Sequence, residues 1–354
     1  MALAVAGRRR AGSNGVARDT TGESAPRGFV FDDIFVKRYD ESLVDDAPAH
    51  LRAIYRPLPS WMRLALEVHR RRDEYDVIVT WSERVTLSLM AIQALTRTGK
   101  PHVPLMYWFS RPSVRAPMRV FGRSLHAIVT WASVQRRYAI DELGVPAAKI
   151  HMVKHFVDTR FWSPRTGTPS GEGICAAGAE MRDYPTLIEA LRGTNLRCHI
   201  ATDHVRVDRH GFARRVSAAE FERTAGPNVT IGRKAAPELR DLYARSRFVV
   251  VPLQRSDTDN GITVILEAMA MGKTVVCSRT EGQVDVIEDG VTGVFVPQGD
   301  PRALRETMRA LLADPARCER IGRAARAYVD KYHAIEKFTR DVKSAIDASL
   351  DDGT

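Results

Sequence analysis

The chain has 354 residues, 44% of them apolar and 27% charged, which is too long for one ordinary core and suits two domains. Residues 1–165 hold 26 Lys and Arg against 16 Asp and Glu, while the remaining 27 of each sign cancel, so the net charge of +10 belongs to the first half. Such a field favours an acidic partner and, with no apolar run of the roughly 18 residues that a membrane-crossing helix needs, excludes an integral helical membrane protein.

Residues 1–28 open with a short apolar stretch followed by Arg8-Arg9-Arg10, the reverse of a signal peptide's order, and are expected to form a disordered tail on a cytoplasmic protein. Gly28-Phe29-Val30-Phe31-Asp32-Asp33 is the nearest strand-like start of the first domain, expected over 29–162. Within it, 75–81 (Y-D-V-I-V-T-W), 102–108 (H-V-P-L-M-Y-W) and 127–131 (A-I-V-T-W) read as buried strands, with a helix over 88–99 capped by Gly99. His102 precedes its strand and reads as structural. Tyr107 and Trp108 are either core residues or a stacking surface for a sugar or acceptor. Arg111, Arg115, Arg119 and Arg123 recur every four residues and would form one stripe on a helix. That stripe is either a solvated face or a contact for an anionic membrane or acidic acceptor.

The Pro-, Gly- and Ser-rich segment 163–172 reads as a linker. Strands and helices then alternate over 173–330: G-I-C-A-A-G, a helix over 184–191, C-H-I-A, N-V-T-I-G, a helix, F-V-V-V-P, a further helix, T-V-V-C-S and G-V-F-V-P. This alternation predicts parallel sheets covered on both faces, hence an α/β fold of two Rossmann-like domains facing a central cleft, with ligands at the carboxyl ends of the strands. Long charged helices are expected over 301–312 and 315–349. Cys175, Cys198, Cys277 and Cys318 are scattered without a C-x-x-C pair and read as reduced, buried thiols.

The most informative segment is D-N-G-I-T-V-I-L-E-A-M-A-M-G-K (residues 259–273). Between its charged ends, Glu267 is the only charge, surrounded by apolar residues on every side of a helix. A helix apolar all round is buried, and an isolated buried carboxylate costs several kcal/mol, about 5 as a guide. Ligand hydroxyls would meet that charge. Asn260 and Gly261 sit where loop becomes helix, a place that favours phosphate. A carboxylate at the mouth (Asp259), a phosphate cradle and a carboxylate within suit a nucleotide-sugar diphosphate. The bland alternative makes Asp259 a helix cap and pairs Glu267 with a core arginine. Asp257-Thr258-Asp259 also spells D-x-D, the metal-nucleotide motif of an unrelated transferase fold.

This segment resembles the E-x7-E signature of the retaining GT-B glycosyltransferases of family four, with Asp259 in place of the first Glu and A-M-A-M-G-K-T-V-V close to the family's tail. The likeness extends through 281–301 (E-G-Q-V-D-V-I-E-D-G-V-T-G-V-F-V-P-Q-G-D-P) and 228–243, and covers roughly 145–338. It implies the GT-B fold, with a C-terminal helix over 331–354 crossing back onto the first domain, and transfer of a sugar from a nucleotide-diphosphate donor with retention of configuration, as a hexosyltransferase of cell-envelope or glycan biosynthesis. It implies that Glu267 holds the ribose hydroxyls, that Asp259 meets the donor sugar, and that the N–H groups of Asn260, Gly261, Ile262 and Thr263 line phosphate and sugar. The family's diphosphate Arg and Lys fall at Ala179 and Arg182, so Arg182 would clamp the phosphates, with Arg233 or Lys234 replacing the missing partner. No cofactor or metal is expected, and the acceptor would be a lipid-linked or acidic glycan, with peripheral contact to an anionic membrane. The family's Gly-rich loop and middle-strand His have no clear counterpart. Ala179, Asp259 and that missing loop leave a catalytically degenerate nucleotide-sugar-binding subunit as an alternative, and a sugar-nucleotide epimerase on the same fold as another. A nucleic-acid binder is disfavoured, because the basic residues follow no recognition motif.

Overall fold

The computed structural model describes residues 2–8, 25–27, 34–39, 41–164, 171, 173–209, 212–223 and 225–351. It divides into two compact units: residues 1–17, 29–154 and 338–354, and residues 18–28 with 155–337.

In the first unit, strands β1 (Ala2–Arg8), β2 (Ile34–Tyr39), β3 (Val77–Thr80) and β4 (His102–Pro104) form a sheet in the order β2-β1-β3-β4. β3 and β4 are parallel, whereas β1 runs antiparallel to both its neighbours, so this sheet is mixed rather than wholly parallel. Helices α1 (Ala49–Tyr55), α2 (Ser60–Arg70) and α3 (Glu83–Thr96) follow in turn. α3 ends with Arg97 at φ 52°, not at Gly99 as expected. Beyond α4 (Pro112–Phe121), β5 (Ile128–Thr130), α5 (Ser133–Asp141) and β6 (Ile150–Met152), the pair β5-β6 is parallel and joins the β4 side through a Leu105–Val129 bridge.

The expected disordered tail needs correction at two places. Ala2–Arg8 form β1, because an apolar run too short for a targeting segment is long enough for a strand between two partners. Arg27 is tied to Asp158 by a guanidinium contact of 2.6 Å and a backbone N–H bond of 2.8 Å. The rest of that tail, and the Gly28-to-Asp33 start, lie outside the described residues.

The second unit carries the sheet that positions the site. Its strands are β7 (Ile174–Ala177), β8 (Cys198–Ala201), β11 (Val229–Ile231), β12 (Phe248–Val251), β13 (Thr274–Ser278) and β14 (Val294–Val296), in the order β11-β8-β7-β12-β13-β14. All pairings are parallel. The order reverses between β7 and β12, which makes their carboxyl ends the switch point where doubly wound sheets bind ligands. An antiparallel hairpin, β9 (His204–Arg209) with β10 (Phe212–Ser217), and α7 (Ala218–Glu222) interrupt the alternation. The crossover helices are α6 (Tyr184–Leu191), α8 (Ala236–Arg245) and α9 (Ile262–Ala270). Asp183 caps α6 by accepting the Thr186 N–H at 3.3 Å. The four cysteines are buried free thiols, and burial pushes Cys175 and Cys277 up to about 12.

Helices α10 (Pro301–Ala313), α11 (Pro315–Tyr332) and α12 (Ile335–Asp351) finish the chain. The single helix expected over 315–349 is broken at His333. There the backbone pairs sideways: the Val157 N–H donates to His333 O at 2.9 Å, and His333 Nδ1 lies 2.6 Å from His155 O. A Cβ on Gly322 of α11 would come 2.2 Å from Gly272 O, so the bare glycine lets α11 sit directly on the turn that ends α9.

The division between units falls at 154/155, not at the Gly- and Pro-rich segment 163–172. Phe161 and Trp162 are each 2% exposed, and Trp162 meets Tyr243 with ring centroids 5.6 Å apart, so this apolar stretch belongs to the second core.

Candidate nucleotide-sugar site

The loops that follow β7 and β12 are laced together at the switch point. The Asp183 N–H donates to Pro252 O and the Gln254 N–H to Met181 O, both at 2.9 Å, and residue 182 bridges residue 253 antiparallel. This turns the Arg182 side chain back over the end of β7. Its Nε donates to Ala177 O at 3.0 Å and its Nη1 to Glu180 O at 2.7 Å.

Two glycines with positive φ border that guanidinium. A Cβ on Gly178 (φ 86°) would stand 2.7 Å from Arg182 Nη2, and one on Gly261 (φ 89°) 3.5 Å from Arg182 Nη1. Gly261 is the residue that opens α9. A cation is thereby placed at the mouth of a helix N-terminus, with no Cβ in the way on either side. Arg182 is 4% exposed, and its hydrogen-bond acceptors are two carbonyl oxygens; no carboxylate lies within ion-pair distance among the described residues. A buried guanidinium satisfied only by neutral acceptors retains its charge for an anion.

α9 is buried along Ile262, Val264, Ile265, Leu266, Ala268, Met269 and Ala270, as the all-round apolar pattern requires. Glu267, on the same helix, keeps part of its surface open. Its Oε2 accepts the Tyr243 hydroxyl at 3.1 Å, and no cation lies within ion-pair distance among the described residues, so the pairing with a core arginine does not occur. Burial pushes the Glu267 carboxyl up to about 8, against the downward pull of the Tyr243 hydrogen bond and the Arg182 charge. The carboxyl therefore senses Arg182 without touching it. Tyr243 is driven well above its usual range by burial and by the adjacent Glu267.

Asp259 is 2% exposed, and its Oδ1 accepts the Thr258 hydroxyl at 3.2 Å. The turn is tight: the Asn260 N–H bonds Thr258 O at 2.9 Å and the Ile262 N–H bonds Asp259 O at 3.1 Å. Two of the four amides expected to line the ligand are therefore turned into the loop itself. Thr263 is exposed and Gly261 partly so. Arg233 is exposed and Lys234 half-buried in the segment after β11. His199 is lowered by its burial and, to a lesser degree, by the nearby Lys234 charge, and neither Arg233 nor Lys234 bonds to the Arg182 loop. Asp257-Thr258-Asp259 is thus part of the loop ahead of α9.

Tyr107 and Trp108 belong to the first unit, where Tyr107 stacks on Trp131 at 5.4 Å and Trp108 lies under Arg111 at 5.5 Å. His102 is 1% exposed in that unit's core, 2.9 Å from Thr80 Oγ1, and burial pushes it down to about 3, as a structural histidine requires.

Three residues of the site give little warning in sequence. Tyr243 stands 24 positions from Glu267, and only the fold makes them partners. Gly178 shows its purpose once Arg182 curls over it. Gly282 is the third: a Cβ there would come 2.2 Å from Thr258 O and 2.3 Å from Thr258 N. Gly282→Ala must push this loop outward, and is expected to destabilise the second unit by about 1–3 kcal/mol. Urea unfolding would reveal the loss, and unaltered stability would mean that the loop yields freely.

Residues 181–314 match the family model described as Glycosyl transferases group 1. The chain is 34% identical over 114 residues to D-inositol 3-phosphate glycosyltransferase 1 of Catenulispora acidiphila, covering 31% of this chain and 27% of that protein. It is 36% identical over 112 residues to the sulfoquinovosyl transferase SQD2 of Arabidopsis thaliana, covering 31% and 21%. A longer match, 28% over 230 residues, is to D-inositol 3-phosphate glycosyltransferase of Kineococcus radiotolerans, covering 56% and 52%. These matches span about half or less of the relatives' own length. Among solved structures, Anabaena HepE in complex with UDP-glucose superposes with a TM-score of 0.67 at 15% identity, covering 85% of this chain and 90% of that one. Sucrose-phosphate synthase from Thermosynechococcus elongatus superposes with a TM-score of 0.69 at 16% identity, covering 87% and 81%. The fold is GT-B, with two Rossmann-like domains.

Proposed function

We propose that the chain is a glycosyltransferase that moves a sugar from a nucleotide-diphosphate donor to an acceptor with retention at the anomeric carbon. The observation that carries this reading is the buried Arg182 guanidinium, bonded only to carbonyl oxygens and set against Gly261 at the start of α9. A departing diphosphate develops negative charge, and a fixed cation with a helix N-terminus stabilises that charge without a metal. Glu267, held by Tyr243, receives the ribose hydroxyls, and Asp259 at the loop meets the donor sugar. Same-face departure and attack rests on the likeness to retaining family-four enzymes, and the named relatives are themselves glycosyltransferases.

The acceptor in this reading is a lipid-linked or acidic glycan at the cytoplasmic membrane face, and its ground is the excess of 26 basic over 16 acidic residues in 1–165. Arg115 and Arg119 lie on α4, whereas Arg111 caps its start and Arg123 falls in the turn beyond its end, so the four do not form one helical stripe; all are exposed, yet each is tied within its own unit. Arg111 pairs with Glu83 at 2.9 Å, Arg115 lies over Tyr138, Arg119 donates to Glu142 O and Arg123 to Gly144 O. No helix among the described residues is long and apolar enough to cross a membrane.

The test is thermal melting with UDP-, GDP- and ADP-sugars, since a ligand at 100 times its Kd adds about 2.7 kcal/mol of stability. One of the three is expected to raise the melting temperature, with and without a chelator, and to be hydrolysed slowly alone and faster with lipid-linked or acidic glycans. Stabilisation by none would overturn the reading. Binding without turnover on any acceptor would turn it into the degenerate subunit, a change to which Ala179 and Asp259 lend themselves.

A further inference from the structure

The Asp259-Asn260 turn is held by a side chain from another loop. Gln283, between β13 and β14, is 1% exposed. Its Nε2 donates to Asn260 O at 3.1 Å and to Asp259 O at 3.4 Å, while its backbone N–H is fixed by Thr280 Oγ1 at 3.2 Å. Two carbonyls facing one amide admit a single orientation, NH2 towards them, because the reverse would oppose oxygen to oxygen. Gln283 Oε1 then has no hydrogen-bond partner among the described residues. Ser256 holds the turn from its other side: its Oγ accepts Asn260 Nδ2 at 2.7 Å and the Thr258 N–H at 3.2 Å, and its carbonyl accepts the Gly282 N–H at 3.1 Å. The turn is therefore clamped between Ser256 and the 282–283 segment.

We infer that Gln283 is a positioning residue for sugar transfer, whose amide fixes the backbone of Asp259 and Asn260 and through it the place of the Asp259 carboxylate at the reacting sugar. This rests on the role proposed above for Asp259. Gln283 bonds the backbone and not the carboxylate, so it governs geometry and leaves charge alone. Arg182 and Glu267, assigned to diphosphate and ribose, make no hydrogen bond with it. Loss of the Gln283 amide should thus separate two quantities that a general distortion would move together: nucleoside diphosphate affinity and turnover. A displacement of about 1 Å at a reacting group is enough to lower turnover about 100-fold.

Gln283→Met keeps the length of the side chain and removes the donor, and Gln283→Glu keeps its shape but turns an acceptor on the two carbonyls. Since Met also removes the unmatched Oε1, its melting temperature should stay within about 4 °C of the wild type. Using UDP, GDP and ADP and their glucose esters, the nucleoside diphosphate that the wild type binds should keep its Kd within about threefold in Gln283→Met, while kcat for the matching sugar ester falls about 30- to 100-fold, and further in Gln283→Glu. Ser256→Ala, acting on the same turn from its other side, should give the same split and carries the test if Gln283→Met does not fold. A kcat within threefold of wild type, or diphosphate affinity lost by the same factor as kcat, overturns the inference. A wild type that binds none of the six compounds instead overturns the reading of the site beneath it.

Discussion

Arg182→Met is expected to weaken nucleoside diphosphate binding about 100-fold or more while leaving the free protein at least as stable as before. The two halves of that result have one cause. In the free protein Arg182 is 4% exposed and its guanidinium holds two carbonyl oxygens, with no carboxylate within ion-pair distance among the described residues. Burying an unbalanced charge costs several kcal/mol, so an apolar side chain of similar length offsets the lost bonds to Ala177 and Glu180. In the complex, each charge-assisted bond to a phosphate oxygen contributes about 1.5–3 kcal/mol, and a forked pair lost together exceeds 100-fold in affinity. Arg182→Lys keeps a point charge without the fork and should fall between the two. Calorimetric titration beside thermal melts would settle the matter, and an affinity within threefold of wild type would sink the assignment of Arg182 to the diphosphate.

The second large effect concerns protons. Glu267 is raised from 4.5 to about 8, mainly by burial. Between these values the folded protein holds a proton at Glu267 that the unfolded chain has released, so the contribution of Glu267 to stability falls as pH rises from 4.5 through about 8 and levels off beyond. A shift of this size amounts to up to about 5 kcal/mol across the window. Ligand hydroxyls that donate to Glu267 favour its ionised form and lower its pKa. Nucleotide binding near pH 7 must then expel a proton, and the calorimetric heat will change with the ionisation enthalpy of the buffer. Glu267→Gln should raise stability at pH 8 relative to pH 5 when compared with the wild type and abolish the proton release, and should lower affinity about tenfold, as for one charge-assisted bond. Identical heats in phosphate and Tris at pH 7 would refute contact between Glu267 and the ribose.

How much of this was legible beforehand depends on the distance over which each signal acts. The lone Glu267 among apolar neighbours is a local pattern, and it announces a burial problem with the structure's own answer, Tyr243, left unnamed. The parallel second sheet follows from alternation alone, but the order that brings the β7 loop beside α9 does not. Arg182 could therefore be picked out, whereas its seat between Gly178 and Gly261 could not. Gln283 looks like one more polar residue in a loop until its amide is seen against two carbonyls. In the first half, a two-residue misjudgement at the end of α3 came from Gly99, when Arg97 adopts the left-handed backbone. The strand Ala2–Arg8 was missed because its pairing partners lie tens of residues away. Arg111, Arg115, Arg119 and Arg123 show the opposite failure: the four-residue spacing is real, yet α4 carries only Arg115 and Arg119, and pairings with other segments decide what each does.

Trp162 leans on Tyr243, and Tyr243 in turn donates to Glu267. A tryptophan just ahead of a glycine- and proline-containing stretch thus buttresses an acid about a hundred residues downstream. Protein engineers who trim the chain at that inviting stretch would discard the wedge behind the acid's hydroxyl donor. A cut that keeps the wedge lies upstream of His155, where the sequence advertises nothing, and it takes Arg27 away from Asp158.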